Sequence, residues 1–230
     1  MKNKISKTAL IIFIFFIPVL SNGQEIDLDL LKLDDYVKLH NNEASNTLNS
    51  YNQIDGTPYL FEEFTQGKVT TKDSLTYHGL FRYDIYADNM EFESLSLVLT
   101  MDPLTIETIA IGSHTFLYIP QLDEASRRGA YYELILPGKC RLLQKRKVVL
   151  NEPQKAKPYV DAKPASFSKG KDVYYLQNGD NPLQKITGKK SLIEALEDHG
   201  QEIKAYMKHN KVSPHKLTEL IDLINYYNQL

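Results

Sequence analysis

Residues 79–94 read GLFRYDIYADNMEFES. Phe81, Tyr83, Tyr86 and Phe92 stand here among Arg82, Asp84, Asp88, Glu91 and Glu93. The two sets alternate. Successive side chains of an extended chain point to opposite sides, so Phe81, Tyr83 and Ile85 share one face and Arg82, Asp84 and Tyr86 the other. Asp88-Asn89 offers a turn, since both residue types tolerate the left-handed backbone region. Met90 and Phe92 then return on one face, with Glu91 and Glu93 opposite. The stretch predicts an antiparallel hairpin with one buried apolar face and one solvated charged face, leaving Tyr86 as an exposed strand tyrosine.

The same texture runs from Thr57 to about Glu152. Short runs rich in Val, Ile, Thr, Tyr and Phe alternate with turn residues. They predict strands near 58–64, 67–72, 75–86, 90–101, 104–111, 114–119, 130–136 and 139–150. The punctuation is Lys72-Asp73-Ser74, Ala87-Asp88-Asn89, Asp102-Pro103, Gly112-Ser113 and Pro137-Gly138. Residues 151–166, NEPQKAKPYVDAKPAS, hold three prolines and three lysines with little apolar content, and read as an excursion. Two more strands are expected at 171–177 and 182–186, separated by Asn178-Gly179-Asp180.

Beyond residue 190 the periodicity changes. Ser191 is expected to cap a helix over LIEALEDH that Gly200 ends, and a second helix covers about 201–210. Ser213-Pro214 reads as a further start, an N-cap serine with proline at the first helical position. Leu217, Leu220, Ile221, Leu223, Ile224 and Tyr227 then recur at helical spacing. The fold class expected is α+β, mainly β: an antiparallel β-meander, as an open or half-barrel-like sheet, with short C-terminal helices packing on it at 191–230. The β domain spans 57–190, and residues 24–56 form a helix and loop segment before it.

The first residues bear on location. Lys2, Lys4 and Lys7 precede the apolar run ALIIFIFFIPVL at 9–20, and Ser21-Asn22-Gly23 puts small residues at the positions a signal peptidase reads. The run is short for a membrane span, which needs about 20 residues. Residues 1–23 are therefore expected to be a signal peptide, and the chain to be exported, to the periplasm, the outer membrane or beyond. No second long apolar run follows, so no transmembrane segment is expected after residue 23. Cys140 is the single cysteine, which excludes an intrachain disulfide.

Charge is unevenly placed. Residues 24–138 carry 7 Lys/Arg and 19 Asp/Glu, a net of −12, whereas residues 139–190 carry 13 and 4, a net of +9. The core of the basic block is KCRLLQKRK, with Lys139, Arg141, Lys145, Arg146 and Lys147. Two readings stay open for it. Either it pairs with the acidic strands and is neutralised, or it forms a surface for an anionic lipid or an acidic protein.

Motifs for chemistry are missing. The six histidines, His40, His78, His114, His199, His209 and His215, include no pair at metal-binding helical spacing. No nucleophile elbow or phosphate-binding glycine loop occurs, and no catalytic residue, metal or cofactor is assigned. Glu91 and Glu93 share a strand face about 7 Å apart, but solvated strand faces produce such pairs constantly. Nucleic acid is not expected as a partner of an envelope protein.

The stretches GTPYLFEEFTQGKV, RYDIYADNMEFE and IKAYMKHNKVSPHKLTELIDLINYYNQ, in their order along the chain, resemble uncharacterised exported proteins of the bacterial phylum Bacteroidota. The resemblance implies export and attaches no activity. Three functions follow as expectations. The first is a non-catalytic cell-envelope binding or assembly module for a protein partner. The second is a periplasmic carrier of a lipid or acyl chain in the concavity of the sheet, and the third a hydrolase with an unfamiliar site.

Overall fold

A computed structural model describes residues 37–38, 51–94, 97–120, 129–156, 158–159 and 161–230. The expected signal peptide and most of the 24–56 segment lie outside the described residues. The fold is mainly β, with an open antiparallel sheet of eleven strands in the order β1-β5-β4-β3-β2-β6-β7-β8-β9-β12-β13. β1 (Val37–Lys38) is a two-residue edge. β2 (Thr65–Thr71), β3 (Thr76–Asp84), β4 (Asn89–Ser94), β5 (Leu97–Met101), β6 (Ile106–Ile111), β7 (His114–Ile119), β8 (Ala130–Leu136) and β9 (Cys140–Lys145) follow. β10 (Val148–Asn151) and β11 (Ser166–Lys169) leave the sheet as a separate hairpin, and β12 (Val173–Asn178) and β13 (Gln184–Lys185) return to its far edge.

One face is apolar along its length and is covered in two ways. Over β2–β8 the sheet curls onto itself. Tyr83 of β3 lies 5.0 Å from the ring of Phe116 on β7 and 6.1 Å from Tyr131 on β8, although β2 and β6 intervene. Val69, Phe81, Met90, Phe92, Ile109 and Ile111 fill the space between. Over β9 and β12 the cover is helical. Cys140, Leu142 and Leu176 pack beneath α1 (Lys189–Ala195), α2 (Gly200–His209) and α3 (Leu217–Tyr227). Leu192, Ile203, Met207, Leu220, Leu223 and Ile224 form that layer, as the stripe of the last helix predicts.

Several sequence expectations are corrected. The charged face of the 79–94 hairpin is not solvated: Arg82, Asp84 and Glu91 are all buried. Residues 58–64 are not a strand but the cover of that face. They make one bridge to β3 at Tyr59–Asp84 and then bend over Arg82. The Arg82 guanidinium sits 3.7 Å from the ring centre of Tyr59 and 4.3 Å from that of Phe64, and donates to the Glu62 carbonyl. Desolvated cation–π contacts of this kind reward the bend. The hairpin turn occupies residues 85–88, with Asp84 Oδ1 accepting from the Ala87 N–H and Asp88 at φ 58°. Tyr86 is in this turn and not on a strand.

The single strand expected over 90–101 is two, because Ser94 faces Leu97 in antiparallel register. Nothing in ESLSL marks a turn. The strand expected over 139–150 also divides, at Arg146-Lys147. There β9 ends and the chain swings out into β10, whose hairpin loop is the 151–166 excursion. At the C-terminal end, Ser191 lies inside the first turn of α1, where its Oγ accepts from the N–H groups of Thr187 and Gly188. Gly200 opens α2 and does not end α1, which stops at Ala195 before a 3₁₀ turn. α3 begins at Leu217, after a turn over Ser213–Lys216. No side chain caps it; the Glu219 carboxylate, in its first turn, instead accepts from the Ser213 N–H of the preceding turn. Val37, within the helix and loop segment expected over 24–56, pairs with Met101 as part of edge strand β1.

Candidate functional site

The five cations singled out in the sequence do not form one surface. Lys139 reaches Asp198 at 3.4 Å beside the Tyr227 ring. Arg141 is partly exposed on β9. Lys145 is drawn inward: its Nζ pairs with Asp88 Oδ1 at 2.5 Å and donates to the Tyr83 hydroxyl and the Tyr131 carbonyl. Burial depresses its pKa, and the Asp88 carboxylate opposes that fall. Arg146 Nε donates to Glu133 Oε2 at 2.6 Å, and Lys147 is exposed. Lys139, Lys145 and Arg146 thus pair with carboxylates, and the side chains of consecutive strand residues diverge.

A different set of cations converges where the chain leaves the sheet. A cleft of about 430 Å³ opens between the β3 end of the sheet and the β10–β11 hairpin. Leu60, Ile85, Val148 and Phe167 give it apolar walls, and Arg146, Lys147 and Lys169 stand among them. A second cleft, of about 420 Å³, continues past Lys169 and Asp172 to Lys171, Lys185, Ile186 and His215. Together the two clefts present Arg146, Lys147, Lys169, Lys171 and Lys185 against a single carboxylate, Asp172. Asp172 is itself occupied. It accepts from Gln144 Nε2 at 2.8 Å, lies 3.4 Å from the Lys147 N–H and 3.8 Å from Lys169 Nζ.

The hinge of this site is Glu133 on β8. Its Oε2 holds Arg146, and its Oε1 meets His114 Nδ1 at 2.5 Å. The ring of Phe61 closes over His114 at 5.5 Å. Glu133, His114 and Asp172 carried no signal in the sequence, because their partners lie on other strands. Lys169, Lys171 and Lys185 were counted in the basic block without being distinguished from it. The signal for them was the net charge of the block.

Burial raises the phenols of Tyr59 and Tyr174, which line the first and the second cleft. Burial raises Asp84 and Glu91, against hydrogen bonds from Ala87 and Tyr51 to the first and from Arg82 to the second. Neither lines either cleft. Burial pushes the Cys140 thiol up to about 12, beside the Asp198 charge. The concave face carries its own aromatic filling in Phe81, Tyr83 and Phe116. Among the described residues no three His, Cys, Asp or Glu side chains gather as metal ligands, and no helix is long and apolar enough to cross a membrane. Comparison with protein-family models, curated proteins and solved structures finds no match for the chain.

Proposed function

We propose that this chain is a non-catalytic, exported cell-envelope protein that binds an acidic segment of a protein partner along the basic clefts of residues 146–187. One observation carries the reading: two adjoining clefts are lined by four lysines and by Arg146, which Glu133 pairs through Nε, with Asp172 the one carboxylate among their lining residues. Such a row of like charge attracts an acidic chain and speeds its encounter. Its apolar walls supply the burial that exposed lysines alone do not. Export rests on Lys2, Lys4, Lys7 and the apolar run at 9–20. The aromatic filling of the concave face weighs against the lipid-carrier alternative.

The test is native mass spectrometry of the protein purified from its own cell envelope, beside the triple variant K147E/K169E/K185E. The expected result is a stoichiometric acidic protein on the wild-type chain that the variant fails to retain. A lipid-sized mass on both would favour the carrier reading, and a partner held equally by the variant would remove the clefts from the function. Sequencing of the same sample is expected to start at Gln24.

A further inference from the structure

We infer that Arg146 is an oriented receptor for a carboxylate, and that the bound segment carries an apolar side chain next to that carboxylate, seated in the first cleft. This rests on the reading that the clefts take an acidic polypeptide, and adds to it what the segment must contain.

The argument begins with the way Arg146 is held. Its Nε donates to Glu133, whose side chain is only 7 % exposed and whose second oxygen is taken by His114. The carboxylate is therefore fixed from two sides, and it fixes the guanidinium plane through one nitrogen. The two terminal nitrogens of Arg146 make no hydrogen bond to any described residue, while the residue lines the cleft. A guanidinium pinned at Nε with both terminal nitrogens unengaged is preset to receive a carboxylate through two parallel bonds. Lys147 and Lys169 flank it on exposed, flexible stems. They attract charge without orienting it, and salt screens them.

The walls around this arginine are Leu60, Ile85, Val148 and Phe167. A purely acidic segment would leave them unfilled, while an aromatic or large aliphatic side chain beside the carboxylate removes apolar surface from water on both partners. The site continues past Asp172 into the second cleft with Lys171 and Lys185. That continuity suits an extended polypeptide with further acidic residues better than a small anion.

The experiment is fluorescence anisotropy with two labelled peptides, DEFEDE and DESEDE, at about 0.15 M salt, where exposed charges more than about 8 Å apart are screened. The wild-type chain is expected to bind DEFEDE about tenfold tighter than DESEDE, a 1.4 kcal/mol difference. Arg146→Lys keeps the charge beside Glu133 and loses the fork, so it is expected to lose most of that advantage, with thermal unfolding reporting that the fold is kept. The peptide pair on the wild-type chain stands even if the variant fails to fold. Equal affinity for the two peptides, or an undiminished preference in a folded R146K, would overturn the inference and leave a cleft that reads charge alone. Binding of neither peptide would overturn both this inference and the proposed function.

Discussion

The side-chain amide of Asn228 makes both hydrogen bonds of a strand pair to one residue, Cys140. Its Oδ1 accepts from the Cys140 N–H at 2.8 Å and its Nδ2 donates to the Cys140 carbonyl at 3.1 Å. The residue just past α3 thereby ties the helical layer to the first residue of β9. Gly138 leaves room for this clamp, since a Cβ there would lie 2.4 Å from Asn228 Nδ2. Asn228→Ala strands a buried N–H and is expected to cost about 2–3 kcal/mol. Asn228→Asp keeps the acceptor and should cost less. Urea denaturation checks this, with a lowered midpoint and an unchanged slope as the expected result.

Arg82 and Glu91 form a buried ion pair at 2.7 Å under the cover of Tyr59 and Phe64. Removing one partner leaves the other charge uncompensated. Arg82→Met is therefore expected to destabilise by about 3–5 kcal/mol, while the double variant R82M/E91L should recover most of that loss. A double-mutant cycle in urea reads the coupling. A double variant as unstable as R82M would show that the cover, and not the charge, sets the cost.

Asp84 is fully buried, and its pKa stands above its ordinary value of 3.8 because burial disfavours the charged form. A carboxyl with a raised folded pKa contributes its full stability below 3.8 and loses it as pH rises through the folded value. The stability of Asp84→Asn minus that of the wild type should therefore grow as pH rises from acid toward neutral. Chemical denaturation across that range measures it, and a pH-independent difference would contradict the assignment.

Cys140 is fully buried, and its thiol is pushed up to about 12. The thiolate is the reactive form, so a thiol reagent at about pH 8 should label the native chain only through opening of the fold. Since Cys140 is the sole cysteine, whole-protein mass reports it without ambiguity. Asn228→Ala should speed labelling, because it loosens the backbone of that residue. Rapid labelling of the intact wild type would place the thiol at the surface.

The phenol of Tyr131 is buried, and its oxygen has no hydrogen-bond partner among the described residues. An unmade buried hydrogen bond costs free energy that deletion of the hydroxyl returns. Tyr131→Phe is expected to leave stability unchanged or raise it by up to about 1 kcal/mol. A clear loss in thermal unfolding would mean that the hydroxyl has an ordered water as partner.

Local patterning carried much of the fold. Period-2 alternation predicted β2, β3, β6, β7 and β8 close to where they lie, because each needs only one apolar face and a turn residue at its end. The two strands that had to be divided, at Ser94–Leu97 and at Arg146-Lys147, turn without glycine, proline or asparagine at the break. The second break is held by carboxylates from elsewhere, Glu133 on Arg146 and Asp172 beside Lys147. Pairwise tertiary contacts of that kind leave no trace in the local sequence.

The amino-acid sequence by itself determined that this chain is mainly β with a helical end, that its basic residues crowd into 139–190, and that no intrachain disulfide is available to it. Composition and periodicity decide such properties locally. Only the tertiary structure decided that the charged face of the 79–94 hairpin is buried, because the cover comes from Tyr59–Phe64, residues that pattern alone assigned to a strand. It also decided which cations are spent and which are presented. Lys145 is consumed by Asp88, while Arg146 is held by Glu133 through Nε alone and lines a cleft shared with Lys169. That sorting depends on which strands the curl of the sheet and the departure of β10 bring together, and it is a property of distance in space rather than of position along the chain.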